Sequence, residues 1–215
     1  MYFKLASLAV ICGMAMVVSG TTHAVVVSTE NFDYADGPLA VANPDWINHS
    51  GNSQTLLVSG GAAVVTEDGG SEDAHKFFDA GASFTSGVVS ASFDVSVTAA
   101  GGIPDNSDDE YFAHFWQTDN PFNFRARTFV HAPTAGGDYT LSISTLSSST
   151  SVDLPTDFTF GETVPVLISF DLDAGIASLT AGGNTVSDLT CLMTLSAKIL
   201  TPFRCVNRPA LDAKR

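Results

Sequence analysis

Three stretches of this 215-residue chain hold most of the side chains that could do chemistry. TEDGGSEDAH gathers Glu67, Asp68, Glu72 and Asp73 around a Gly-Gly pair, and PDNSDDEYF gathers Asp105, Asp108, Asp109 and Glu110. Paired carboxylates suggest glycoside hydrolysis, which in a retaining enzyme needs two carboxyl groups about 5–5.5 Å apart. On one strand that pair reads Glu-x-Asp-x-x-Glu, because alternate side chains share a face. Neither segment has that spacing, and both read as loops. Calcium fits the second one better. A hard cation takes several oxygens from a flexible segment, and Asp105, Asp108, Asp109 and Glu110, with Asn106, offer them. The twelve-residue EF-hand loop is absent, and a solvated acidic loop is the plainer alternative.

The third stretch, YFAHFWQTDNPFNFRARTFVHAP, concentrates aromatic and basic residues. Asp119-Asn120-Pro121-Phe122 is a turn signal between two strands. A four-residue loop there sets Trp116 opposite Arg125, His114 opposite Arg127 and Phe112 opposite Phe129 on one face. Tyr111, Ala113 and Phe115 then share the core face with Ala126, Thr128 and Val130, a sorting that a one-residue slip would destroy. The first face carries two kinds of chemistry. A Trp–Arg pair stabilises a sheet by about 0.5–1 kcal/mol where exposed. A flat indole flanked by cationic donors also stacks and hydrogen-bonds a sugar, so His114, Trp116, Arg125 and Arg127 form the candidate carbohydrate site. His49 and His75 stand alone and read as surface residues in turns. His-Glu-x-x-His, Gly-x-Ser-x-Gly, Cys-x-x-Cys and phosphate-loop patterns are absent.

The elements that would position these residues are strands. In GVVSASFDVSVT, Val89, Ala91, Phe93, Val95 and Val97 alternate with Ser90, Ser92, Asp94, Ser96 and Thr98, the pattern of a half-buried strand. VPVLISFDLD repeats it, Asp173-Ala174-Gly175 marks a turn, and IASLTAGG reads as the hairpin partner. TLLVSGGAAVVT reads as strand, Gly60-Gly61 turn, strand, and DYTLSIST alternates again. Roughly ten short strands separated by Gly, Asp, Asn and Ser turns predict an all-β fold, an antiparallel two-sheet sandwich.

The two ends depart from this pattern. Lys4 precedes LASLAVICGMAMVV, an apolar run too short for a comfortable membrane span, and Thr22 and Ala24 occupy the small positions before a cut. Residues 1–24 are therefore expected to be a signal peptide, helical and removed after Ala24. That implies a secreted or cell-surface protein with no stable membrane span afterwards. The main domain is expected over residues 25–190. Residues 191–215 form a tail with five of the nine basic residues and both remaining cysteines. Either it is a basic segment with its own partner, or a reading-frame shift has replaced the closing strand; the sharp break in composition favours the second.

Residues 25–190 carry 22 of the 23 carboxylates and only three cations, Lys76, Arg125 and Arg127. Such a surface repels nucleic acid and anionic membrane. This part has no cysteine, so core packing must hold it together without disulfides.

STENFDYADGPLA resembles the opening of the concanavalin A-like (laminin-G-like) jelly-roll domains of secreted bacterial proteins. The resemblance rests on Phe32-Asp33-Tyr34, Gly37, Leu39 and Trp46, and on EYFAHFWQ followed by FNFRARTFV. It implies a jelly roll over about residues 28–190. Many relatives of the PEP-CTERM type end in a Pro-Glu-Pro sorting signal and a hydrophobic span, which this sequence lacks. The fold hosts lectins, polysaccharide hydrolases and lyases, and plain structural surface modules. The leading expectation is a non-catalytic module binding an extracellular polysaccharide or cell-surface glycan. An enzyme on the same fold and a structural protein without a small ligand are the alternatives.

Overall fold

The computed structural model describes residues 2–13, 24–66, 72–81, 83–98, 103, 111–117, 120–146, 150–189 and 200–206. Two antiparallel sheets face each other across one core, the architecture of a jelly-roll sandwich. Sheet A contains β1 (Tyr2–Gly13), β2 (Val25–Glu30), β3 (Gly37–Pro38), β5 (Leu57–Val58), β6 (Ala63–Thr66), β8 (Val88–Thr98), β13 (Thr163–Asp171), β14 (Ile176–Ala181) and β15 (Asn184–Leu189). Its order is β15-β14-β13-β8-β1-β6-β5-β3, with β2 also paired to β1. Sheet B contains β4 (Trp46–Ser50), β7 (Asp73–Lys76), β9 (Tyr111–Gln117), β10 (Asn120–His131), β11 (Tyr139–Ser144), β12 (Val152–Phe158) and β16 (Leu200–Val206). Its order is β12-β11-β10-β9-β16-β7-β4.

The alternating strands of sheet A form for the reason their sequence gives. Val89, Ala91, Phe93, Val95 and Val97 of β8 are all buried, and the serines and Asp94 between them are half-buried. β13 pairs beside it, with Val164, Val166, Ile168 and Phe170 on the same buried side. From sheet B, Phe112, Phe115, Val130, Leu141 and Ile143 meet them in the core.

The residues that carry the jelly-roll resemblance surround one carboxylate. Glu30 accepts hydrogen bonds from the Phe32 amide (2.8 Å), the Tyr34 hydroxyl (2.6 Å), the Trp46 indole (3.1 Å) and Lys76 Nζ (3.0 Å). Burial raises its pKa, but the bonds from Tyr34, Phe32 and Lys76 outweigh that, and the carboxyl is held below its ordinary value. The Tyr34 hydroxyl is pushed up to about 12, by burial and then by Glu30. Phe32, Leu39 and Trp46 are buried, and the rings of Phe32 and Trp46 stack. Gly37, at φ +147°, takes a backbone conformation that side chains disfavour. The opening segment is thus a polar clamp, with Lys76 of sheet B tied to Glu30 of β2 in sheet A.

The ends differ from expectation. Residues 2–13, which overlap the apolar run 5–18 of the expected signal, pair as a strand between β8 and β2/β6 in this chain. An apolar run of that length satisfies its backbone in a sheet as well as in a helix. Residues 200–206, expected outside the sandwich, pair between β9 and β7, with a register shift across Pro202, which has no N–H to donate.

Candidate functional site

Sheet B carries the candidate residues, and its strands break the simple alternation. All seven residues of β9 and all six of β11 are buried, so both faces of these strands are covered. The β9–β10 register also departs from the sequence expectation. Trp116 lies opposite Phe124, Phe115 opposite Arg125, Ala113 opposite Thr128 and Tyr111 opposite Phe129. Gln117 lies opposite Asn120, but the next pair is Trp116 with Phe124, so residues 121–123 are extra on β10, and two further irregularities follow. One surrounds Ala126, whose φ of +51° is left-handed. The other places one extra residue, Phe112, on β9.

These bulges re-sort the side chains. Phe112, expected beside His114 and Trp116, enters the core, while Tyr111, expected in the core, packs with Phe129 and Phe124 on the opposite face. Ala113, Phe115, Ala126 and Val130 keep their expected core positions. Arg125 leaves the candidate site. Its guanidinium lies 5.9 Å from the ring centre of the core residue Phe170 and donates to Gln117 Oε1 (3.0 Å) and to the Phe124 carbonyl (2.8 Å).

The remaining three candidates stay on the outer face but divide into two groups. Arg127 lies over Tyr111 (4.6 Å), Phe124 (5.2 Å) and Phe129 (5.5 Å), and His114 packs against Phe124 and Tyr111. Trp116 instead lies against His49 (4.4 Å) and His75 (4.6 Å), which sit on β4 and β7 rather than in turns. The expected exposure is not found: Trp116 is 8% exposed, and His114, Arg125 and Arg127 are buried. The indole N–H of Trp116 is buried without a hydrogen-bond partner among the described residues. At the other side of sheet B, His131 Nδ1 meets Asp153 Oδ1 at 2.7 Å.

The open part of this region lies beside the Trp116 group. His75 packs edge-on against Phe77 at 5.2 Å, and Phe77 is 40% exposed. Ile47, 43% exposed, pairs with His75 across β4 and β7. Ile47, Phe77 and Phe78, together with Pro44, Asp45, Lys76 and Asp79, line an open cleft of about 330 Å³. Rings therefore run from buried Trp116 through His75 to an accessible Phe77, and at the cleft they meet two carboxylates and an ammonium group. Asp79 also accepts a hydrogen bond from Ser28 (3.1 Å), and Lys76 is anchored to Glu30. Sequence reading missed the cleft because its residues come from segments that pair only in three dimensions. The one available signal was Phe77-Phe78 following His75-Lys76.

The acidic segments contribute less. Glu72 is buried and accepts bonds from the Thr55 (2.6 Å) and Leu56 (2.7 Å) amides, a structural use of a carboxylate in the TEDGGSEDAH stretch. Glu67 and Asp68 lie outside the described residues, as does the calcium expectation at Asp105, Asp108, Asp109 and Glu110. Among the described residues no helix is long and apolar enough to cross a membrane.

No family profile and no curated protein matches the chain. Among solved structures, the crystal structure of the Emp47p carbohydrate recognition domain is similar to 82% of this chain and 87% of its own, at 13% identity and a TM-score of 0.48.

Proposed function

We propose that this chain is a secreted, non-catalytic module that binds a neutral extracellular carbohydrate in the cleft between β4 and the segment after β7. The observation that carries this reading is the exposed Phe77 ring beside Asp45, Asp79 and Lys76. A sugar ring offers an apolar C–H face to an aromatic surface, and its hydroxyls donate to carboxylates and accept from ammonium. A concave site with an apolar floor and few convergent polar groups is the usual form of a small-ligand pocket, at about 300–1,000 Å³. The acidic surface favours a neutral ligand over an anionic one. On this reading Trp116 does not touch the sugar; it backs His75, which backs Phe77.

A second reading is hydrolysis of the same polysaccharide, favoured by the presence of two carboxylates, Asp45 and Asp79, in one cleft. A glycan array, run beside an assay for reducing-sugar release, separates the two. Binding without release is expected, and release abolished by Asp45→Asn would establish the enzyme. Phe77→Ala is expected to abolish glycan binding while the melting temperature stays within about 2 °C, since an exposed side chain contributes little to stability. Retention of full binding in that variant removes the cleft from the account.

A further inference from the structure

Sheet A is continuous only because β1 lies inside it. On one side β1 pairs with β8, from Tyr2 opposite Thr98 to Gly13 opposite Val88. On the other it pairs with β6 over Tyr2–Leu5 and with β2 over Leu8–Cys12. Phe3, Leu5, Leu8, Val10 and Cys12 stand opposite Val97, Val95, Phe93, Ala91 and Val89, the buried row of β8. Lys4, Ala9 and Ile11 stand opposite Ser96, Ser92 and Ser90, the row turned away from the core.

Without β1, β8 and the β2/β6 pair would stand two strand spacings apart, roughly 9.5 Å. The gap cannot simply zip shut. β8 and β6 are each antiparallel to β1, hence parallel to one another, and their present registers were set by a strand between them. The whole β8 edge would offer unpaired N–H and C=O groups, a template for another strand, above an opened core. Main-chain pairing would supply the affinity of such a slot, and the alternate apolar positions its selectivity.

We propose that the slot between β8 and β2/β6 is a strand-accepting site whose occupant is residues 2–13 of this chain. Completion of sheet A and removal of residues 1–24 then exclude one another. The same apolar run serves as an export signal while free and as a central strand once docked. A chain processed after Ala24 keeps an open slot that takes back a strand of this pattern.

The test uses the full-length chain with a protease site inserted between Gly13 and Ala24, cut after purification. The probe is a fluorescein-labelled peptide of residues 2–13. The N-terminal fragment is expected to co-elute with the cut protein in gel filtration and to be displaced by excess labelled peptide. A peptide of the same composition in scrambled order should not displace it. The uncut chain, its slot filled in cis, should bind neither. Immediate loss of the fragment on cutting, with unchanged hydrogen exchange across residues 63–66 and 88–98, overturns the proposal. Two variants of the uncut chain keep the test decisive if the cut protein precipitates. Ala9→Pro, within paired β1, should lower Tm by about 5–10 °C. Ala6→Pro, at the register shift between Leu5 and Leu8, should lower it far less. Equal small effects of the two overturn the proposal. None of these readouts involves a glycan, so failure here leaves the carbohydrate reading untouched.

Discussion

The outer faces of the two sheets are built from opposite materials. On sheet A the face turned from the core is rich in small hydroxyls, with Ser90, Ser92 and Ser96 on β8 and Ser178 and Thr180 on β14, beside Asp94 and the exposed Leu167. Its rungs pair across strands: Ser178 with Ser187 (2.7 Å) and Thr180 with Thr185 (2.8 Å). On sheet B the corresponding face holds Tyr111, His114, Trp116, Phe124, Arg127, Phe129 and His131, nearly all of it buried. A two-sheet sandwich needs only one apolar face per sheet. Sheet B has two, and it places polar ring atoms within the second. Burying an unpaired donor costs about 1–3 kcal/mol, and the Trp116 indole N–H has no partner among the described residues. Sheet A therefore shows what the fold requires, and sheet B shows what it carries beyond that.

The largest expected effect breaks or confirms this contrast directly. Trp116→Ala removes a buried indole wedged against two imidazoles and should cost about 3–5 kcal/mol in urea unfolding. Ser96→Ala, on the hydroxyl face, should stay within about 0.5 kcal/mol. If Trp116→Ala proves as mild as Ser96→Ala, the outer face of sheet B is open to solvent and the two faces differ in composition only.

The same contrast explains what was legible in the sequence. β8, β13 and β14 of sheet A could be read as strands, because one face is the more open and polarity alternates with period two. Val89 to Thr98 sorts without an exception. β9 could not be read that way. Seven buried residues in succession leave no wet face to mark the register, and a positive φ at Ala126 is not written in an alanine. The register shift between Asn120 and Phe124 set Trp116 one residue away from the expected Arg125, and Arg125 turned inward to Gln117 and Phe170. Trp116 found His49 and His75, more than forty residues away in the chain. The opening motif was recognisable as a pattern, but its cause, a Glu30 carboxylate with four donors, needed the fold. Of the candidate site, the sequence showed that rings and cations gather in β9 and β10. It did not show that the accessible end of the ring chain is Phe77.

Arg127 sharpens the comparison at the next level of effect. Its guanidinium sits over three aromatic rings in a buried setting, where a cation–π contact is worth about 2 kcal/mol or more. Arg127→Met keeps much of the volume and removes the charge. It should destabilise the protein by about 2 kcal/mol, by an amount insensitive to added salt, since screening barely reaches buried charge. A cost that disappears in 1 M salt would mean that Arg127 acts through exposed ion pairing, with the rings incidental.

Acid should act on a different edge of sheet B. Asp157 of β12 is slightly desolvated, which raises its pKa. The amides of Thr134 (2.8 Å), Gly137 (3.1 Å) and Ala135 (2.5 Å), with the Thr134 hydroxyl, outweigh this and hold it at about 2, against an ordinary 3.8. A carboxyl whose pKa is depressed by folding stabilises fully above its unfolded value and loses that contribution as pH falls toward the folded one. Stability contributed by this loop clamp should therefore be flat above about pH 4 and fall between pH 4 and 2. Asp157→Asn should flatten that part of the stability–pH curve. An unchanged slope in the variant would show that the loop at 134–137 holds without the carboxylate.

The smallest expected effect belongs to the hydroxyl rungs of sheet A, and it decides whether that face is merely compatible with water or actively stabilising. Thr180 and Thr185 stand directly opposite each other on β14 and β15, with their hydroxyls 2.8 Å apart and exposed. Water competes for both groups, so the bond between them adds little beyond what hydration already supplies. Cross-strand polar pairs nonetheless contribute roughly 0.2–1 kcal/mol relative to Ala–Ala. Thr180→Ala and Thr185→Ala each lose β-branching as well as the hydroxyl, so single variants confound propensity with pairing. A double-mutant cycle removes the propensity term, and the coupling energy it leaves should be a few tenths of a kcal/mol. A coupling above about 1 kcal/mol would place the rung on the same footing as a buried contact. The hydroxyl face would then be a stabilising ladder in its own right, and the two outer faces would differ in chemistry but not in strength.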